Sequence, residues 1–242
     1  LRRERPLFVA LSAVTIAAVL AWPFVEVSIR HYEWVTGFRF YDFGAYTTAV
    51  DSAFSGGQIY VPAEGGGYHG SYLYPPVTLL FFYPFALFPF QVGAVLLGMT
   101  SLVLLWVALD AVAGQLGYDL GLGERLVLLW ALWGFQPQLF DFKMGQMGTM
   151  LAALIALAFY EHERQADEGG RLAAVASGAL TTLGSGFKLF YATSGAHLLR
   201  DRRRLLAALG TAAVLAVVSV AAFGFEVHRH YLDVLLWGKG WG

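Results

Sequence analysis

Residues 40–76 read FYDFGAYTTAVDSAFSGGQIYVPAEGGGYHGSYLYPP, the one long polar stretch in a chain that is otherwise strongly apolar. The stretch contains carboxylates, a glycine-rich section, six tyrosines and two adjacent prolines. Hydrophobic segments long enough to cross a bilayer lie on either side of it. Polar chemistry is therefore expected in this stretch, and Asp42 is its first carboxylate.

The composition of the whole chain indicates an integral membrane protein. Of the 242 residues, 57% are hydrophobic and 14% are charged, and the mean hydropathy is +0.58. A soluble domain of this length cannot bury so much apolar surface. The net charge of -1 predicts no nucleic-acid partner, because the chain has no basic patch large enough to neutralise several phosphates. The chain has no cysteine, so disulfides, thiol catalysis and cysteine metal sites are excluded.

The apolar segments predict an all-α, polytopic membrane helix bundle of about seven spans, in which residues 1–242 form a single transmembrane domain. The first span, residues 7–29, would be about 35 Å long at ~1.5 Å per residue. Three arginines precede it, so the positive-inside rule places the N-terminus in the cytoplasm and the first loop, residues 30–72, outside. Further spans are expected at residues 74–88, 92–112, 125–140, 147–160, 172–198 and 205–223, with the linker 114–124 outside.

The first external loop is expected to carry a short amphipathic helix in the membrane interface. Phe43, Tyr46 and Val50 recur at helical spacing, while Asp51 takes the opposite, solvated face. Residues 55–57, Ser-Gly-Gly, are expected to end the helix. Asp42 precedes the periodic residues, so it could serve as the N-cap residue of this helix as a structural alternative to a chemical role.

Residues 172–198 are long enough for one tilted helix, although Gly184-Ser185-Gly186 and Lys188 interrupt it. One broken or kinked helix is expected, because that count of spans places the arginines at 200 and 202–204 in the cytoplasm. Lys188 would then lie about 24 Å from the outer end of the helix at the usual rise. Either a break at 184–186 or a re-entrant hairpin would bring it outward. A small-residue face on this segment is expected to pack closely on a neighbouring helix, and it consists of Ala174, Gly178 and Thr182.

Three parts of the chain carry a family pattern: DFGAYTTAVDSAFSGGQIY followed by YLYPP, KMGQMGTMLAALIALAFY, and TTLGSGFKLFYA followed by LLRDRRR. Together they resemble glycosyltransferase family 87, the polyprenol-phosphate-mannose-dependent mannosyltransferase type of the C-type membrane glycosyltransferases. The second part is similar to a Gly-Gln-x-Asn segment that opens a helix, but Gly148 stands in place of the asparagine. The proline usual after the lysine is replaced by Tyr191 or Ala192. The family's chains continue past the seventh span, so the resemblance implies a truncated or partly observed protein.

The resemblance implies inverting transfer of a sugar, with mannose implied by the family alone, from a polyprenyl-phosphate carrier to a lipid or glycan acceptor. It implies a multi-pass enzyme among the lipids of the plasma membrane, with its active site on the extracytoplasmic face. Asp42 matches the family's catalytic aspartate and would take the acceptor's hydroxyl proton, and a single carboxylate without a covalent intermediate means inversion. No cofactor is predicted, and no metal site, because the histidines lack metal-ligand spacing with carboxylates.

Lys188 is the second candidate, since a lysine among apolar residues is costly and a lipid phosphate is its natural counter-ion. Its structural alternative is a pair with Asp141 or a snorkelling side chain. Further predicted substrate contacts have alternatives as headgroup ligands, aromatic-belt residues or helix-break residues; they are Arg39, Tyr46, Tyr74, His69 and Gln146, with His228 and His230 as weaker candidates.

Two other classes stay open from the sequence. A lipid-handling or solute transport protein would use Lys188, Lys143 and Asp141 as an intramembrane path, although no inverted repeat is visible. A non-catalytic membrane subunit would only present the first loop to a partner.

Overall fold

A computed structural model of the chain describes residues 40–61, 71–168, 171–188, 191–193, 195–196 and 201–237. Within these ranges the regular structure is helical and contains no strand. The predicted first span, Arg39 and His69 lie outside the described residues. The helices are α1 (Tyr41–Ser55), α2 (Thr78–Ala86), α3 (Phe90–Gln115), α4 (Leu122–Gly134), α5 (Gln136–Met144), α6 (Gly148–Glu168), α7 (Arg171–Phe187), α8 (Arg202–Phe223) and α9 (Phe225–Trp237).

Two of these helices, α3 and α8, are long and apolar enough to cross a membrane. Of the most apolar stretch of α8, only 11% is buried inside the protein. The all-helical described part and these two helices are consistent with the predicted helical membrane protein.

The predicted amphipathic helix is present as α1. It buries Phe43, Tyr46 and Val50 on one face, while Asp51 is exposed on the other, as the helical period indicates. The helix ends at Gly56, whose φ of 77° is a left-handed conformation that glycine adopts without a Cβ penalty.

Residues 74–88 do not form the second span that their hydropathy predicts. Helix α2 has nine residues, about 13 Å at ~1.5 Å per residue, which is under half of a ~30 Å hydrocarbon core. The turn after α2 lies beside the start of α1, because the Phe90 ring centroid is 6.4 Å from that of Phe40 and 5.5 Å from that of Phe43. The run cannot form a long helix because four prolines bracket and interrupt it, at positions 75, 76, 84 and 89.

Helix α3 consequently begins at the end of the bundle that carries α1, here called the α1 end. Helices α4 and α5 return along α3, with Arg125 Nε 2.8 Å from Asp110 Oδ1 far from the α1 end and Phe142 against Gly98 nearer to it. The linker 114–124 therefore lies at the opposite end from α1, whereas the sequence interpretation placed both outside. The predicted fourth span is two helices broken at Phe135, just before a proline in the first turn of α5.

Helices α6 and α7 form an antiparallel pair. The Ser177 hydroxyl donates to the Ala158 carbonyl at 2.9 Å, and Gly184 lies against Leu154 further along the pair. Continuing this register brings the end of α7 level with the first turn of α6. In agreement, the ring centroid of Phe187, the last residue of α7, lies 5.0 Å from that of Phe81 in α2.

Residues 172–198 do not form the one broken or kinked helix that was expected with its interruption at 184–186. Helix α7 ends at Phe187, and short 3₁₀ turns follow at 191–193 and 195–196. The Gly-Ser-Gly segment 184–186 is not the break, because these residues stay helical while α7 packs on α6. Tertiary packing here outweighs the low helix propensity of glycine. Lys188 directly follows α7 and lies at the α1 end because α7 runs toward that end.

Helices α7 and α8 pack through the predicted small-residue face. A Cβ added at Gly178 would lie 2.5 Å from the Arg204 carbonyl oxygen, and the Thr182 hydroxyl is 3.2 Å from the Ala208 carbonyl oxygen. The two helices therefore run parallel, with Arg204 level with Gly178. Since Gly178 lies about 13 Å along the helix from Phe187 at ~1.5 Å per residue, residues 202–204 lie well away from the α1 end.

We expect Gly178→Ala to lower the melting temperature of the protein in detergent, because the added methyl overlaps the Arg204 carbonyl oxygen, an overpacking that costs about 1–3 kcal/mol. The matched control is Gly210→Ala in α8, where an added Cβ meets nothing within 4 Å. Alanine is the better helix former by roughly 0.5–1 kcal/mol, so the control should be neutral or stabilising. Equal shifts in the two variants would contradict the close approach of α7 and α8.

Candidate functional site

The backbone at the start of α1 places Asp42. Phe40 has a left-handed φ of 59°, rare for a residue with a side chain, and its N–H donates to the Lys143 carbonyl at 2.7 Å. Phe40 is the N-cap residue, so the alternative that Asp42 caps the helix is wrong. Asp42 instead lies in the first turn, half-exposed, where the helix dipole favours a carboxylate.

The turn between α5 and α6 supports this first turn of α1. Gly145 has φ 69°, and a Cβ added to it would lie 2.6 Å from Phe43 Cβ. The Gln146 N–H donates to the Asp141 carbonyl at 2.8 Å, which closes the turn. The Gln146 side chain is half-buried, and this backbone bond gives the residue a role in the helix break. Residues 141–148, DFKMGQMG, carry a charge pair and two glycines within an otherwise apolar region. This segment therefore supports the first turn of α1, which carries Asp42.

Asp141 supplies a second carboxylate in this turn. Its Oδ2 accepts a hydrogen bond from the buried Thr149 hydroxyl at 2.9 Å. A Cβ added at Gly148 would lie 2.8 Å from Asp141 Oδ1 and closer still to Oδ2. The missing side chain at Gly148 thus makes room for the carboxylate.

A cluster of tyrosines lies beside the two carboxylates. The Tyr46 and Tyr74 hydroxyl oxygens are 3.1 Å apart, and the Tyr60 hydroxyl donates to the Tyr74 carbonyl at 2.8 Å. The Tyr72 hydroxyl is hydrogen-bonded to the Thr78 hydroxyl. Tyr46, Tyr60 and Tyr72 are at most 2% exposed, so they pack in the core and do not form the headgroup belt considered from the sequence.

Tyr46 cannot stack on a sugar in this arrangement, because its ring is stacked on Phe82 at a centroid distance of 4.1 Å and is buried. Tyr74 is less buried than Tyr46, and its hydroxyl is paired with that of Tyr46.

The charges of Asp42 and Asp141 both affect the pKa of Tyr74. Burial raises the pKa of Tyr74, the hydrogen bond from Tyr46 partly offsets this, and the charges of Asp42 and Asp141 raise the pKa further. Burial raises the pKa of Tyr46 well above its ordinary value, and the neighbouring Tyr74 and the charge of Asp42 raise this pKa further. The pKa of Tyr191 is raised by burial and by Asp141. These hydroxyls therefore stay protonated at neutral pH, and Tyr74 lies within electrostatic reach of both carboxylates.

Lys188 follows α7 directly and is half-buried. Its carbonyl accepts a hydrogen bond from the Tyr191 N–H at 2.8 Å. Among the described residues no carboxylate lies within 4.0 Å of the Lys188 ammonium, so the proposed pair with Asp141 is not formed.

The two weaker histidine candidates, His228 and His230, have different surroundings. His228 Nε2 is 2.8 Å from the Ser219 hydroxyl and Nδ1 is 2.8 Å from the Gly224 carbonyl, so His228 braces the junction of α8 and α9. His230 instead lies edge-on to Tyr60 with ring centroids 5.7 Å apart. Helix α9 thus covers the tyrosine cluster. In the part of the chain that the structure describes, no three His, Asp or Glu side chains are grouped to hold a metal.

Sequence reasoning considered Tyr60 as a sugar-stacking residue and Tyr72 as an aromatic-belt residue, and it missed the Asp141–Thr149 pair as part of this region. Tyrosine clustering in residues 40–76 was a signal for the first two. The charge and glycines of DFKMGQMG were a signal for Asp141, but its partner Thr149 could be recognised only in three dimensions.

Comparison with known proteins gives a consistent result. The sequence profile of Glycosyltransferase family 87 matches residues 72–240. A "Polyprenol-phosphate-mannose-dependent alpha-(1-2)-phosphatidylinositol pentamannoside mannosyltransferase" of Mycobacterium tuberculosis is 26% identical over 241 residues, covering 96% of this chain and 52% of the relative. The protein of that name from Mycolicibacterium smegmatis is 25% identical over 232 residues, covering 93% and 52%. The chain thus spans 52% of the length of the curated relatives it matches. No solved structure matches the chain.

Proposed function

We propose that this chain, which belongs to glycosyltransferase family 87, transfers a sugar from a polyprenyl-phosphate carrier to an acceptor hydroxyl. The relatives' names support mannose as the sugar and a mannosylated phosphatidylinositol or similar glycolipid as the acceptor. The observation that carries the proposal is the convergence at the α1 end of Asp42, the α5–α6 junction (residues 141–149) and Lys188, which come from three separate parts of the chain.

The proposed reaction is a single displacement. Asp42 takes the proton of the acceptor hydroxyl as that oxygen attacks the anomeric carbon. The bond between the anomeric carbon and the phosphate oxygen breaks, and the polyprenyl phosphate leaves with the electron pair. Because attack occurs opposite the leaving group and no covalent intermediate forms, the configuration at the anomeric carbon is inverted.

Lys188 is proposed to hold the carrier's phosphate. Its ammonium has no carboxylate partner among the described residues, so its charge is available for an anion. The α6–α7 register supports a position level with the first turn of α6, beside the turn that seats Asp42. A cation there stabilises the negative charge that grows on the departing phosphate.

The proposed topology is arranged as in a C-type membrane glycosyltransferase, with residues 7–29 expected as the first crossing segment. Helix α3 then leads away from the α1 end, α4 with α5 return to it, α6 leads away and α7 returns. Because α8 runs parallel to α7, the chain between Lys188 and Arg202 comes back from the α1 end before α8 begins. Arg202, Arg203 and Arg204 lie away from the α1 end, and by the positive-inside rule this supports an extracytoplasmic α1 end. The proposed setting is the plasma membrane, with the carrier reaching the site from the lipid.

The proximity of Asp141 and Lys143 to the start of α1 weighs against the transport alternative. Both residues lie in the last turn of α5, which together with Gly145 contacts Phe40 and Phe43 at the α1 end. Lys188 lies at the same end. An intramembrane path would need these charges at successive depths.

The test is sugar transfer by the full-length protein reconstituted in liposomes. Polyprenyl-phosphate-mannose and polyprenyl-phosphate-glucose are supplied with phosphatidylinositol mannosides as acceptors, and the anomeric configuration of the product is read by NMR. We expect transfer from the mannosyl carrier with inversion. Absence of transfer from either carrier by protein that binds the carrier would contradict the proposal.

We expect Lys188→Gln to raise the KM for the mannosyl carrier about tenfold or more, since charge-assisted hydrogen bonds contribute roughly 1.5–3 kcal/mol. Loss of the cation should also lower kcat, because the phosphate gains charge during departure. Arg125→Gln is the control, as it removes one positive charge at the opposite end. Similar kinetics for wild type and Lys188→Gln would remove Lys188 from the site.

A further inference from the structure

We propose that Asp141 binds the sugar of the carrier, with its Oδ1 accepting hydrogen bonds from sugar hydroxyls. The inference rests on the proposed function, since it assigns a ligand to a neighbour of Asp42. It adds a second carboxylate with a role distinct from proton removal.

A hydrogen bond from Thr149 fixes the orientation of the Asp141 side chain. Its Oδ2 accepts from the Thr149 hydroxyl at 2.9 Å, and Thr149 is buried. Across the described residues, no hydrogen-bond donor is found for Oδ1, and the side chain is half-exposed. One oxygen therefore fixes the rotamer while the other can accept from a ligand.

Asp141 also shares its surroundings with Asp42. The last turn of α5, which carries Asp141, and the residues after it contact α1. The Phe40 N–H donates to the Lys143 carbonyl, and Gly145 lies against Phe43, next to Asp42 in the chain. A ligand that contacts Asp42 in the first turn of α1 therefore lies beside the segment that carries Asp141.

Charge decides which part of the carrier Asp141 can bind. A carboxylate repels a phosphate, whereas it accepts strongly from neutral hydroxyls. Lys188 provides the opposite charge at the same end of the bundle. The arrangement favours phosphate near Lys188 and sugar near Asp141, so that the anomeric carbon between them faces Asp42.

The glycine at 148 links this role to the sequence pattern. The motif that the segment resembles has asparagine at this position, and a Cβ there would lie 2.8 Å from Asp141 Oδ1. The Asp141 carboxylate thus occupies space that an asparagine side chain at 148 would need.

The experiment measures binding of two carriers to the full-length protein in nanodiscs: polyprenyl-phosphate-mannose, and polyprenyl phosphate without sugar. Asp141→Asn should weaken binding of the mannosyl carrier about ten- to a hundredfold, the usual range for a hydrogen bond to a charged group. Binding of the sugarless carrier should be unchanged or tighter, because a repulsive charge is removed.

A second variant controls for folding. Asp141→Ala combined with Gly148→Asn moves the polar group to the other side of the turn, and it should recover part of the mannosyl-carrier affinity that Asp141→Ala alone loses. Weakening of both carriers by the same factor, or of neither, would show a purely structural role and overturn the inference.

The same measurements separate this inference from the proposed function. If wild type binds both carriers but transfers no sugar, the proposed function fails, while the ratio of the two affinities still decides the role of Asp141. If wild type binds neither carrier, both are overturned.

Discussion

Asp42→Asn should lower kcat for sugar transfer by about a hundred- to ten-thousandfold, the usual contribution of a positioned general base. Asparagine keeps the shape of the side chain but cannot accept the acceptor's proton. Because Phe40 and not Asp42 is the N-cap residue, the substitution should leave the start of α1 intact. The measurement is the rate of transfer from polyprenyl-phosphate-mannose at saturating carrier and acceptor, together with the melting temperature.

Asp51→Asn is the matched control, since Asp51 lies on the same helix but is exposed on its opposite face. It removes the same charge and should change kcat less than twofold or so, within the usual range for an exposed substitution. Full activity of a normally folded Asp42→Asn protein would show that Asp42 is not the base. An equal loss in both variants would point to the net charge of α1 instead.

Gly145→Ala should cause the largest loss of stability among the glycine variants. The left-handed φ of 69° costs a residue with a side chain roughly 1–2 kcal/mol. The added methyl would also lie 2.6 Å from Phe43 Cβ and 3.2 Å from the Phe43 backbone nitrogen, and such overpacking costs about 1–3 kcal/mol more. Because Phe43 follows Asp42, transfer should fall even where the protein folds. Unfolding in denaturant and the transfer rate are measured together.

Gly56→Ala separates the two causes. Gly56 also has a left-handed conformation, with φ 77°, but an added Cβ meets nothing within 4 Å. It should lose only the conformational part, and its transfer rate should be close to that of wild type. If Gly145→Ala and Gly56→Ala lost the same stability and activity, the contact between Gly145 and Phe43 would not be what positions Asp42.

Local features of the chain were predictable because they depend on neighbours in sequence. The period of Phe43, Tyr46 and Val50 predicted α1, and Gly56 predicted its end. The small-residue face of α7 also appeared in the sequence, because residues four apart share one side of a helix. That such a face is buried can be predicted without knowing which helix packs against it.

The predicted second span was wrong for a physical reason that hydropathy does not register. Residues 74–88 are apolar enough for a span, but prolines limit α2 to nine residues, and its aromatic side chains pack on α1 and α7. Apolar surface can be buried against protein as well as against lipid. Removing this one span reverses the expected side of the linker 114–124 relative to the first loop.

By itself, the sequence determined the helical membrane class, the polar first loop with its helix, the family pattern and Asp42 as the first residue to test. These follow from composition, period and local motif. The tertiary structure decided that Lys188 reaches the α1 end, that Phe40 rather than Asp42 caps α1, and that Asp141 stands beside the site. Each depends on contacts between residues far apart in the chain, such as the Phe40 N–H with the Lys143 carbonyl, and no local pattern encodes which distant groups meet.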